Sequence, residues 1–320
     1  MRQAGNHVEK DPIQSFEVPT LGVVIPVYNR ESLVLETLES VREQTTAPDK
    51  VIIIDDGSQD DSYAAVNRWL EQHQLDRQQW LLIHQANTGL SGARNAARPH
   101  TTDVDLVVFL DSDDLWPNDM VGRAKAFFQT HPDYAAASAD GEKLYIDEQG
   151  NITTRELLPI EPANNPFTLL KNRSPLVCAT FFSRKVLDTV GWFDARVKYA
   201  EDHLLWHLVA TQGAWGYLEG APFQYRYFHN PSQPHNSAIP RLSSRLRCAR
   251  ELADGLKQFA STEQLRDPDL RWAIWRTWYA VARACDKAGK RRIARRLYWE
   301  AIKANPVKLK SLLRFFRCCP

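Results

Sequence analysis

Four short apolar runs, each separated from the next by a segment of helical period, constrain this chain more than any other feature. GVVIPV (22–27), VIII (51–54), WLLIH (80–84) and VDLVVFL (104–110) are dominated by valine, isoleucine and leucine and show no sustained polar alternation. A strand buried on both faces reads in this way, whereas a strand with one wet face alternates. Between them, residues 31–44 place Val34, Leu38 and Val41 at helical spacing. A second helix, with Tyr63, Val66 and Leu70 on one stripe, starts near Asp60, and a third opens near Ser91. Strands alternating with helices imply βαβ units and a mostly parallel sheet.

Beyond Leu115 the alternation loosens. Helices are expected over 118–130, 184–189 and 201–212, with strands near 134–139, 143–146 and 222–228, a mixed α/β extension of the sheet. From about Pro240 the strand pattern ends. Residues 241–304 are helical in period and rich in tryptophan and arginine, with a turn at Lys287-Ala288-Gly289-Lys290. The predicted organisation is a polar leader over 1–19, an α/β domain over 20–240 and a basic helical region over 241–320.

Charge divides at the same place. Residues 241–320 hold 20 of the 40 Lys and Arg but 7 of the 39 Asp and Glu, so that stretch carries +13 and residues 1–240 carry −12. Two parts with different tasks are expected from such asymmetry. With 43% apolar and 25% charged residues, the 320-residue chain can bury a sizeable core. Its five cysteines form no CxxC pair and have no histidine cluster beside them, so neither a zinc site nor a disulfide framework is indicated. No stretch resembles a signal peptide or approaches the roughly 18 apolar residues of a membrane span. A cytoplasmic setting is therefore expected.

In an open parallel sheet, ligands sit outside the carboxyl ends of the strands. The first strand ends in Pro26-Val27-Tyr28-Asn29, the second in Asp55-Asp56-Gly57-Ser58 and the fourth in Asp111-Ser112-Asp113-Asp114. Five carboxylates from two strands at one edge are costly unless a cation or hydrogen-bond donors sit among them. Asp111 and Asp113, one residue apart, can both reach a hard divalent cation that keeps open positions for phosphates. By itself, Asp-Ser-Asp also suits a loop or a helix cap. Asn87 to Asn95 contains Gly89 and Gly92, which permit close backbone approach, followed by Arg94 at a helix start where anions are favoured. A helix cap with a surface arginine is the plainer reading. Glu201-Asp202 opens the apolar-periodic helix LLWHLVA, where acids complement the helix dipole.

Taken together, VVIPVYNR (23–30), IIIDDGSQDDS (52–62), NTGLSGARNAA (87–97), FLDSDDLWP (109–117) and VGWFDARVKYAEDHLLW (190–206) resemble the family 2 glycosyltransferases in order and spacing. The resemblance covers roughly residues 20–240. It implies the GT-A fold, a nucleotide-sugar-binding, Rossmann-like mixed sheet flanked by helices, here with a C-terminal α-helical extension. It also implies an inverting transfer of a sugar from a nucleotide-sugar, a UDP-hexose or UDP-N-acetylhexosamine, to an acceptor hydroxyl in polysaccharide, lipid-linked or other glycan assembly. Pro26, Tyr28 and Asp56 would cradle the base and ribose, and Asn87, Gly89 and Arg94 the diphosphate side, with Asn95 beside them. Asp111 and Asp113 would hold Mn²⁺ or Mg²⁺. Asp202 would be the general base, with Glu201 as its competitor.

Tyr225-Arg226 and the stretch His229 to Ser237 resemble the family's segment that closes the active site, with His229 and His235 as alternatives. Pro175 to Arg184 is expected on the acceptor side. In the tail, Trp278, Val281, Ala282, Gly289, Ala294, Tyr298, Ala301 and Pro306 resemble one tetratricopeptide unit, and a single unit must pack on something else. Trp272, Trp275 and Trp278 are expected to face inward. VKLKSLLRFFRCCP reads either as a basic membrane-surface helix or as a solvated basic helix with one packing side. No nucleic-acid partner is expected. Two other readings are a sugar nucleotidyltransferase, which PVYNR disfavours because it lacks that group's glycine-rich loop, and a non-catalytic adaptor carrying a degenerate transferase domain.

Overall fold

Eight strands make one sheet in a computed structural model that describes residues 17–198, 200–228 and 242–318. In chain order the first elements are β1 (Leu21–Val27), α1 (Leu33–Arg42), β2 (Lys50–Asp55), α2 (Ser62–Gln72), β3 (Trp80–His84), α3 (Leu90–Ala96), β4 (Leu106–Phe109) and α4 (Met120–Thr130). β5 (Ala136–Ile146), β6 (Ile152–Leu158), α5 (Pro166–Asn172), β7 (Thr180–Ser183), α6 (Arg184–Val190), α7 (Glu201–Val209) and β8 (Trp215–Phe228) follow. The C-terminal helices are α8 (Leu242–Phe259), α9 (Pro268–Lys287), α10 (Arg291–Ala304) and α11 (Leu309–Arg317).

The strand order is β3-β2-β1-β4-β7-β5-β6, with β8 paired to β5. β1, β2, β3 and β4 run parallel, so their carboxyl ends share one edge. β7 joins β4 and β5 in antiparallel register, which makes the sheet mixed from there onward. Every residue of β1 is buried, as a strand covered on both faces requires.

The four expected N-terminal strands and their helices are present, and the mixed α/β fold with C-terminal helices is as expected. The second half differs in detail. The two strands expected at 134–139 and 143–146 are one long β5, which steps over an irregularity at Asp140 and continues because Gly141 and Glu142 are paired on both sides, with β6 and β8. A side chain at Gly141 would press into the ring of Phe223 at 2.7 Å, so β8 approaches closely only over a glycine. β6, α5 and β7 were not among the expected elements. β6 is an almost fully exposed edge strand, ITTRELL, without the apolar signal of the others.

The C-terminal helices are tied to the sheet. Cys248, Leu252 and Leu256 of α8 and Leu270 of α9 belong to the main hydrophobic core. Asp267 caps α9 by accepting from the amides of Asp269 and Leu270, and its other oxygen accepts from Asn165, which itself caps α5. Asp269 accepts from Thr168 and Lys171 of α5, both at 2.6 Å. A second, smaller core gathers Trp278, Val281, Ala282 and Cys285 of α9 with Ala294, Tyr298 and Ala301 of α10. Trp278 is buried, whereas Trp272 and Trp275 are only half-buried. Trp275 donates its indole N–H to Ser311 of α11, and Trp272 lies against the cations of Lys171 and Arg276. Among the described residues, no helix is long and apolar enough to cross a membrane.

Candidate active site

A cavity of about 750 Å³ opens at the carboxyl ends of β1, β2 and β4. Pro26, Tyr28, Asp56, Asn87, Gly89, Asp111 and Asp113 all line it, so the structure gathers seven of the residues singled out from sequence into one space. Tyr28 is 43% exposed over the opening, a flat apolar surface free to receive a base. Arg30, Tyr225 and Tyr227 complete the wall. A larger hollow of about 870 Å³ lies at the amino ends of β1 and β4. There Asp105 accepts from Thr20 and Arg184 pairs with Asp188, and none of the strand-end residues singled out from the sequence lines it.

Asp56 is buried and organises the neighbouring loop. Its Oδ1 accepts from the side chain of Gln85 and from the amide and hydroxyl of Thr88, and its Oδ2 accepts from the Gly89 amide at 2.8 Å. Oδ2 retains capacity for a further donor. The loop sits so close that a Cβ at Gly57, which has φ +73°, would lie 2.9 Å from the Asn87 amide nitrogen. Asp55 points the other way, 1% exposed, and meets His84 at 2.6 Å.

Asp111 and Asp113 are held by different arginines. Arg94, only 2% exposed, donates to Asp111 at 2.8 Å, lies 3.6 Å from Glu201 and stacks over the Phe193 ring. It thus sits beneath the cavity wall as the shared counter-charge of two acids, and not on the open surface where a diphosphate would touch it. Asn95 clasps the Phe193 backbone, donating to its carbonyl and accepting from its amide. Arg30 forms an ion pair with Asp113 at 3.3 Å. Arg226 is buried and joins this corner by donating to the Asp113 carbonyl and to Glu36, while its amide donates to Asp114. Burial, then repulsion from Asp111, raises the Asp113 carboxyl above its ordinary pKa, and Arg30 offsets part of that.

One cation would relieve this repulsion. The tightest group of potential ligand atoms is Asp111, Asp114 and Cys178, all within 4.8 Å of one another. Asp114 is 2% exposed and already engaged by Arg226, and burial pushes the Cys178 thiol well up, which keeps it protonated. Asp111 and Asp113 are the carboxylates that reach the cavity, so they fit a hard cation shared with phosphate oxygens. No sequence pattern marks Arg30 as the partner of Asp113, although its place after β1 already put it at the correct edge.

Glu201 and Asp202 begin α7, and both are half-buried. Burial, then Asp202, raises the Glu201 carboxyl. Glu201 is committed to Arg94, whereas Asp202 accepts only the His203 amide, leaving its second oxygen without a hydrogen bond among the described residues. His229 and His235 lie outside the described residues.

An open mixed α/β sheet with acids and an aromatic at its switch edge is the setting of a nucleotide-binding site. Residues 22–191, more than half of the chain, match the sequence model of glycosyl transferase family 2, and the chain belongs to that family. It is 32% identical over 199 residues to the succinoglycan biosynthesis protein ExoW of Rhizobium meliloti, covering 58% of this chain and 61% of that protein. It is 27% identical over 195 residues to the Escherichia coli UDP-Glc:alpha-D-GlcNAc-diphosphoundecaprenol beta-1,3-glucosyltransferase WfaP, covering 60% and 71%. An uncharacterized glycosyltransferase of Rickettsia felis is 25% identical over 205 residues, covering 62% of this chain but 31% of its own length. The chain therefore spans less than a third of that relative and less than two thirds of ExoW.

Two solved structures share the fold. S. aureus TarS 1-349 in complex with UDP-GlcNAc superposes with a TM-score of 0.55 at 17% identity, covering 93% of this chain and 90% of that one. The Pyrobaculum calidifontis mannosyltransferase PcManGT in complex with GDP-Man and Mn2+ gives 0.54 at 21% identity, covering 94% and 86%.

Proposed function

We propose that this chain is an inverting glycosyltransferase that takes a sugar from a UDP-hexose or UDP-N-acetylhexosamine and joins it to an acceptor hydroxyl in polysaccharide or other glycan assembly. The observation that carries this reading is the convergence of Tyr28, Asp56, Asp111 and Asp113 on one cavity at the carboxyl ends of β1, β2 and β4. ExoW and WfaP are similar over 58% and 60% of this chain, and WfaP is named for a UDP-Glc donor. In this reading residues 20–240 are the catalytic domain. The helical region over 241–320 docks on it, and α9 and α10 are read as a tetratricopeptide-like pair, a reading supported by Trp278, Val281, Ala282, Ala294, Tyr298 and Ala301 in the second core, with Gly289 and Pro306 outside it.

Tyr28 stacks on the base and the free capacity of Asp56 Oδ2 accepts its imide N–H, a charge-assisted bond. Asp111 and Asp113 would hold Mn²⁺ or Mg²⁺, which would supply charge neutralisation of the leaving diphosphate. Arg94 holds Asp111 and Glu201 in place as their shared counter-charge. The acceptor oxygen attacks the anomeric carbon as its proton passes to Asp202, and the bond from that carbon to the diphosphate breaks. A single displacement inverts the configuration and needs one base.

The test separates the two acids of α7. Replacing a general base typically costs about 10²–10⁴ in rate, so Asp202→Asn should lower kcat by that order and leave UDP affinity near that of the unaltered protein. Glu201→Gln is expected to act through Asp111 and weaken donor binding as well. Nearly full transfer by Asp202→Asn together with a crippled Glu201→Gln moves the base by one residue. Full activity in both refutes an inverting mechanism built on this pair.

A further inference from the structure

We infer that α10 and α11 form a docking face for the surface of an anionic phospholipid membrane. α11 presents Leu309, Leu312, Leu313 and Phe316 at i, i+3, i+4 and i+7, a single helical stripe, and all four are exposed, Leu309 and Leu313 at 68% and 67%. Val307, just before the helix, is 81% exposed. The opposite side of α11 is the side that packs: Ser311 and Cys318 are buried, Ser311 accepts from Trp275, and Phe315 lies 5.6 Å from the Trp299 ring. The protein therefore consumes the polar-lined side of this helix in its own packing and leaves the leucine stripe facing out. Contiguous apolar surface of this kind marks an interaction site.

Charge decides the partner. Residues 290–317 hold ten Lys or Arg and a single acid, Glu300. On α10, Arg292, Arg295 and Arg296 border a groove of about 550 Å³ that also touches Trp299 and Phe315. Lys310 and Arg317 flank the leucine stripe on α11 and are exposed. A second copy of the chain meeting this face would set Arg292, Arg295, Arg296, Lys310 and Arg317 against their own counterparts, which opposes self-association. A lipid surface answers both features. A helix about 13 Å long can lie in the interface with leucine and phenylalanine among the acyl chains while its cations, and those of the groove, meet headgroup phosphates. None of these residues belongs to the cavity at β1, β2 and β4, so lipid binding and sugar transfer can fail separately.

The experiment is flotation of the full chain with large unilamellar vesicles, made either of phosphatidylcholine alone or of phosphatidylcholine with 30% phosphatidylglycerol as an order-of-magnitude anionic content about that of a charged leaflet. The chain should float with the anionic vesicles at low salt, at least tenfold less with phosphatidylcholine alone, and progressively less as salt rises. Leu313→Glu with Phe316→Glu, two exposed positions whose change leaves the fold and its thermal melt intact, should abolish flotation. Arg292→Gln, Arg295→Gln and Arg296→Gln together should weaken it at least tenfold. The proposal is overturned if the unaltered chain stays unbound with anionic vesicles, if the leucine-face variant floats as well as it does, or if both lipid compositions bind equally. It is equally overturned if the unaltered chain is a dimer that the leucine-face variant splits and no vesicle binds.

Discussion

At the carboxyl ends of β1, β2 and β4, each candidate carboxylate is gripped by another part of the protein: Asp56 by the loop 85–89, Asp111 by buried Arg94, Asp113 by Arg30. On α10 and α11 the cations mostly stand in solvent, bordering a groove and a leucine stripe. The acidic region holds its charges in fixed geometry at some cost in burial, and the basic region spends little on fixing them. Fixed geometry suits a small ligand that must be oriented for chemistry, because catalysis relies on groups positioned before the reaction begins. Loosely held charge suits attraction to an extended surface, where orientation of any one cation matters little. The docking between the two regions, through Leu252, Leu256 and Leu270 and the Asp267 and Asp269 bonds to α5, is a third kind of contact and belongs to the fold.

That docking gives the largest expected effect. A chain ending at residue 240 loses Cys248, Leu252, Leu256 and Leu270 from the main core. Each leucine contributes roughly 2 kcal/mol by burial, against a total stability of about 5–15 kcal/mol. The shortened chain should aggregate or melt without cooperativity. A monomeric, sharply melting product on size exclusion and in a thermal scan would show that the helices are an independent module.

Next in size is Arg94→Met. It fills the space but leaves Asp111 and Glu201 without their shared cation, and breaking a buried pair in this way costs about 3–5 kcal/mol. A denaturant titration should show that loss, lessened if Mn²⁺ is added. An unchanged midpoint would mean that Arg94 is dispensable to the frame of the site.

The smallest effect is a pH dependence. Burial first lowers His207 from 6.5 to about 3 and His203 to about 4; the His203 ring also disfavours protonation of His207, and Arg276 disfavours both. Both are neutral in the fold and take up protons on unfolding, so their contribution to stability is complete above about pH 6.5 and declines as pH falls toward 4. The melting temperature should drop across that window, and His207→Phe should flatten the drop. A profile identical in the variant assigns the acid sensitivity elsewhere.

The comparison also explains what the sequence disclosed. β1 to β4 were legible because strands buried on both faces have an unmistakable composition, and their ends placed Tyr28, Asp56, Asp111 and Asp113 on one edge. β7 was not, because Thr-Phe-Phe-Ser is too short to show a period, and edge strand β6 has no apolar face at all. The partners of the acids were hidden for a different reason. Arg30 lies 83 residues from Asp113, and Arg94 lies 107 from Glu201, and no local pattern encodes such pairings. Arg94 in particular reads like a surface anion binder at a helix start, yet the fold buries it under two carboxylates.

On the proposed function, the acidic cavity binds a nucleotide diphosphate only when a divalent cation offsets Asp111 and Asp113. Titrating UDP by calorimetry into the unaltered protein and into Asp113→Ala, each with Mn²⁺ and with a chelator, tests it most directly. Binding should be strong in one case, the unaltered protein with Mn²⁺, and at least about tenfold weaker in the other three, a difference of roughly 1.4 kcal/mol or more. Equal affinity in all four would contradict the account.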